Sequence, residues 1–115
     1  MRTPLREIAH ARAGDKGDTL MLSLIAYAPA GFAAIEAQVT AAAVQAHFAA
    51  LAPSRVERFV LPQLRALNFV LHQVLRGGVT RSLALDAHGK TLSGVLLDLE
   101  VEAPMGQEGR DVEER

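Results

Sequence analysis

Between positions 12 and 20 the chain reads RAGDKGDTL, the densest group of residues in it that could do chemistry. Asp15 and Asp18 bracket Lys16 and Gly17, with Gly14 and Arg12 just before them. Three chemistries suit the set. Gly14 and Gly17 permit positive φ, so successive backbone amides could form an anion-binding nest to which Lys16 adds charge. One aspartate could act as a general base with its pKa set by the lysine. The two carboxylates could share a divalent cation, although Lys16 between them opposes it. The same residue types also build a six-residue hairpin loop with Asx-type turns, and that structural reading is the first expectation.

Few other residues qualify. His10 shares strand parity with Ile8 and Arg12 and leads into the charged loop, so it is the histidine to test as an acid or base. The catalytic set is therefore Asp15 or Asp18 as base with His10 as its acid partner. Asn68 stands between Leu67 and Leu71 on an apolar stripe, where a buried amide needs a hydrogen-bond partner and would fasten the fold or touch a ligand. Arg81 has the parity of Leu83 and Leu85 and needs a carboxylate, a phosphate or an exit to solvent, with Asp15 or Asp18 as possible partners. The ligand-binding set is Arg12, Gly14, Lys16, Gly17, Asn68 and Arg81, suited to a small anion.

Histidines 10, 47, 72 and 88 lack metal-ligand spacing, with His47 and His72 expected on helix surfaces, and no metal or cofactor is expected. The serines lack a GxSxG elbow, and no phosphate-binding GxxxxGK[ST] or GxGxxG is present.

The elements that must position these groups follow from periodicity. Leu5 to Arg12 and Leu20 to Tyr27 are expected strands around the charged loop. The second is apolar on both faces and so expected to be central. Residues 29 to 53 are alanine-rich and helical, broken near Thr40, which can cap the second piece with a Val39–Val44 staple across it. Phe32, Ile35 and Val39 share a face on the first piece; Val44, Phe48 and Leu51 form the buried stripe of the second, which Pro53 closes. Val56 to Leu61 is a third strand. Gln63 to Arg76 is expected to be a helix with Leu64, Leu67, Leu71, Val74 and Leu75 inward, ended by Gly77 and Gly78. The last unit is expected to be a hairpin, with Val79, Leu83 and Leu85 inward, a turn at 86 to 90, and Val95, Leu97, Leu99 and Val101 alternating on the return. Helices on one face of a mostly antiparallel sheet give an α+β two-layer sandwich of ferredoxin-like character.

A chain of 115 residues, half of them apolar, suffices for one domain with a proper core. It has no cysteine, which removes disulfides, thiolate metal sites and cysteine nucleophiles. Residues 102 to 115 carry five acids and two arginines without apolar periodicity and are expected to be a disordered tail behind a domain at 1 to 101. The body then holds ten bases against eight acids, a slight preference for anions. No basic stripe or aromatic series supports nucleic-acid binding, and no apolar run suits a signal peptide or membrane span, so a cytoplasmic protein is expected.

Four stretches, taken as a set, resemble one family: RAGDKGDTLMLSLIAY, VTAAAVQAHF, LPQLRALNFVL and GGVTRSLALDAHGKTL. Their order and spacing are similar to the small ferredoxin-fold domain of the acyclic terpene utilisation (AtuA-like) family, over about Leu5 to Val101. The family usually places an asparagine in the strand after the GDKGD loop, where this chain has an apolar run around Met21. In that family the small domain occurs fused behind a larger AtuA-like domain or as a separate short protein, and the larger proteins are linked to breakdown of acyclic terpenes and other branched acids as acyl-CoA thioesters. The resemblance implies an accessory subunit that joins a larger AtuA-like chain, self-associates, or does both, with no reaction assigned. The alternatives from the residues themselves are a stand-alone acid–base enzyme of hydratase or isomerase type and a ligand-sensing module, both using the Asp15–Asp18 loop.

Overall fold

The computed structural model describes residues 1–74 and 91–104. A short strand β1 (Arg2–Pro4) and a single 3-10 turn (Leu5–Glu7) precede the hairpin of β2 (Ala9–Lys16) and β3 (Thr19–Ala26). Helices α1 (Pro29–Gln38) and α2 (Ala41–His47) and a second 3-10 turn (Ala49–Leu51) lead to β4 (Arg55–Leu61). A third such turn (Pro62–Leu64) joins β4 to β5 (Ala66–His72). After the undescribed stretch come α3 (Leu92–Leu96) and β6 (Glu100–Glu102).

β2, β3, β5 and β4, in that spatial order, form one antiparallel sheet, while β1 and β6 pair separately. β3 is central, as expected, although the helices cover only one of its faces and Met21 on the other is 43% exposed. Leu20, Leu22 and Leu24 of β3 and Leu67, Phe69 and Leu71 of β5 all point to the helices and are buried with Ile35, Val39, Val44 and Leu96. α1 approaches closely because residue 31 is glycine: a Cβ there would lie 3.3 Å from the Ile8 carbonyl oxygen. The break between α1 and α2 falls where the sequence put it. Thr40 Oγ1 accepts from the Ala43 amide at 3.0 Å, and Val39 and Val44 are buried on either side. The result is an α+β sandwich with helices on one face of the larger sheet.

Several elements differ from expectation. As far as residue 74, the helix expected over Gln63–Arg76 is instead a turn and strand β5, so Asn68 is a strand residue. Leu67 and Leu71 satisfy helical spacing, but Phe69 completes a strict alternation with them. Arg65 at φ +53° turns the chain back on β4, and Leu64, expected in the core, is 65% exposed. The long-range ladder to β3 supplied more partners than a lone helix could, and alternation won. His72 consequently lies on a strand, and His47, expected on a helix surface, donates from Nε2 to the Val95 carbonyl at 2.7 Å and ties α2 to α3.

The strand expected from Leu5 begins at Ala9, after the 3-10 turn. The second helical piece ends at His47, and Ala52 at φ +49° turns the chain before Pro53. The return strand expected through Val95 and Leu97 is helix α3, capped by Thr91, whose Oγ1 accepts from Gly94 N at 3.1 Å; only Glu100–Glu102 is strand. Glu102 is therefore part of the folded body rather than the tail. Leu75, Gly77, Gly78, the strand and turn expected over Val79–Lys90, and the tail from residue 105 lie outside the described residues. No helix among the described residues is long and apolar enough to cross a membrane.

Candidate functional site

The stretch RAGDKGDTL is mostly strand. β2 runs through Lys16, β3 starts at Thr19, and Gly17-Asp18 alone make the turn, so the expected six-residue loop is a two-residue one. Gly17, at φ +64°, takes the first central position that glycine favours in a tight hairpin of type II′. Gly14 is paired with Met21 and does not have positive φ. The amides of residues 14 to 16 therefore alternate across the ladder instead of converging in a nest.

Pairing register decides which side each candidate takes. Asp15, opposite Leu20, has the parity of the helix-covered face, whereas His10, Arg12 and Lys16 have the parity of the other face. Asp18 lies in the turn, its carbonyl accepting from the Val74 amide at 2.9 Å. His10 and Asp15 are five residues apart along β2, about 17 Å at strand spacing. The structure thus separates His10 from Asp15, and Asp18 lies farther along the hairpin, in its turn. His10 instead stacks on Tyr27, ring centroids 5.4 Å apart. Arg81 lies outside the described residues.

Arg12 and Asn68 do share one face and one row, two strands apart. The ladder sets Arg12 beside Ser23, Ser23 beside Asn68, and Asn68 beside Phe59, one row crossing all four strands. Ser23 Oγ donates to Asn68 Oδ1 at 2.8 Å. Asn68 is a fastener, as its amide suggested, but between two strands on the open face. A depression of about 320 Å³ lies to one side of this row, with Met21 and Phe59 in its wall. Another, of about 370 Å³, lies to the other side, lined by Ile25, Leu61 and Leu64. Arg12, Ser23 and Asn68 border both.

A polar cluster occupies another part of this face. His72 Nε2 donates to Glu57 Oε1 at 3.0 Å, and Arg55 pairs with the other Glu57 oxygen at 3.7 Å. The hydrogen bond from His72, helped by the Arg55 charge, holds the Glu57 carboxyl below its ordinary pKa.

Compared with protein-family models, residues 3–102 match the AtuA ferredoxin-like domain. The chain belongs to that family. No curated protein and no solved structure matches it. In this AtuA ferredoxin-like domain, the departure at Met21 falls on the open face: Met21 is 43% exposed and opposes Gly14 and Val70. Ser23 and Phe59 are the members of the site that motif reading missed. Their signal was the outward register of β3 and β4, which becomes legible only once the pairing of the strands is known.

Proposed function

We propose that this AtuA ferredoxin-like domain is an accessory subunit that docks a larger AtuA-like chain on its open sheet face and serves breakdown of acyclic terpene or other branched acyl-CoA compounds. One observation carries the reading. An antiparallel sheet with one solvated face ordinarily alternates apolar inward and polar outward. Here the outward positions include Met21, Ile25, Phe59, Leu61 and Val70, with Met21 and Phe59 the most open of them. Large apolar residues gathered on one face favour a protein partner.

Charge favours a chain of different sequence over a second copy. Arg12, Lys16 and Arg55 share the open parity with a single acid, Glu57, so two such faces would oppose like charges. The acid–base enzyme loses support from the register that separates His10 from Asp15.

Co-expression with a larger AtuA-like chain from the same host, followed by native mass spectrometry, tests the proposal. A fixed-ratio complex is expected, lost on Phe59→Asp with the melting temperature retained. A complex indifferent to Phe59→Asp, no complex, or a homo-oligomer alone would each overturn it.

A further inference from the structure

The row at the centre of the open face has a chemistry that protein docking does not explain. Ser23 Oγ donates to the Asn68 amide oxygen at 2.8 Å, and in this orientation the amide nitrogen points away from Ser23. The two Asn68 N–H donors have no partner among the described residues, and neither does the Arg12 guanidinium across Ser23. Donors therefore dominate this row, and no carboxylate stands in it.

On either side the surface turns apolar, towards Met21 and Phe59 in one depression and Ile25, Leu61 and Leu64 in the other. A forked cation and an amide N–H suit the two oxygens of a carboxylate. A neutral hydrocarbon would leave those donors unpaired, and a bare inorganic anion would leave the apolar walls unused. We propose that Arg12 and Asn68 bind the carboxylate of a small apolar acid, whose hydrocarbon chain lies in one of the two flanking depressions. Ser23, hydrogen-bonded to the Asn68 amide oxygen, ties that side chain to β3.

Both depressions are shallow, so affinity in the millimolar range is expected. The test titrates the isolated chain, so its outcome is separate from complex formation. The probes are octanoate, octan-1-ol and acetate, read by NMR at the Asn68 side-chain amide and Arg12 Nε–H. Octanoate is expected to move both signals to saturation, at least about fivefold more tightly than either other probe. Arg12→Gln should weaken octanoate about tenfold, to the level of octanol. Asn68→Asp, which keeps an acceptor for Ser23, should weaken it by a similar factor through charge repulsion. Arg55→Gln removes the same charge from the same face, about 13 Å along β4 from Phe59, and should change octanoate affinity by less than about twofold.

Octanol binding as tightly as octanoate would reduce the site to an apolar patch and overturn the proposal. So would acetate matching octanoate, or Arg55→Gln matching Arg12→Gln, either of which would mean general attraction of anions. Absence of saturable shifts with octanoate would overturn it outright.

Discussion

Phe69 and Phe59 occupy adjacent strands of one sheet, a single residue out of register, and meet opposite fates. Phe69 is fully buried beneath the helices, while Phe59 is 48% exposed on the other side. The covered face is apolar along its two central strands, through Leu20, Leu22, Leu24, Leu67, Phe69 and Leu71. At its edges Asp15 and Arg58 share its parity, and Arg58 Nη1 donates to the Glu36 and Val39 carbonyls. The open face mixes comparable apolar groups with Arg12, Ser23, Asn68 and the His72–Glu57–Arg55 cluster. Apolar area alone thus does not distinguish fold from recognition. The difference lies in which face the helices cover and where polar groups interrupt the surface.

Truncating the two phenylalanines gives the sharpest test of that contrast. Phe69→Ala should cost about 3–5 kcal/mol in urea unfolding because it leaves a cavity among fixed neighbours. Phe59→Ala should stay within about 0.5 kcal/mol. Equal losses would break the distinction by making the open face structural.

A smaller effect is expected at the hairpin that presents Arg12 and Lys16. Gly17→Ala forces a Cβ into left-handed backbone and should cost about 1–2 kcal/mol by thermal unfolding. Gly14→Ala lies on strand backbone with nothing within 4 Å of the new Cβ and should cost nothing measurable. Losses of the same size at both glycines would restore the longer expected loop.

The smallest effect concerns pH. Glu57 has a lowered folded pKa, so its stabilising contribution is complete above the ordinary carboxylate pKa and disappears as pH falls through the lowered value. Melting curves across that acid range should be slightly shallower in pH for Glu57→Gln than for the parent chain. Glu102, lowered by its bond to the N-terminal ammonium, would still titrate in both. An unchanged slope would make the His72–Glu57 pair energetically silent, as exposed pairs often are.

Some of this was legible residue by residue. The helix break at Thr40, its cap and the Val39–Val44 contact are local, since a hydroxyl reaches an amide only three positions away. The central strand was legible because β3 is apolar at every inward position over a full strand length and carries Met21 and Ile25 on its other side. β5 was not, because Leu67 and Leu71 fit two periods and only pairing with β3 and β4 selects one. Of the candidate site, Arg12 and Asn68 could be named in advance, but their placement in one row on one face, on either side of Ser23, could not.

By itself, then, the sequence determined the α+β class, the central strand, the broken helix and a set of polar residues with chemical potential. Tertiary structure alone decided which of those residues meet. Side chains alternate every residue along a strand, so one step of register sends a group to the opposite face. That register rests on pairings such as Ser23 with Asn68, formed between residues 45 positions apart, where no local pattern can fix it.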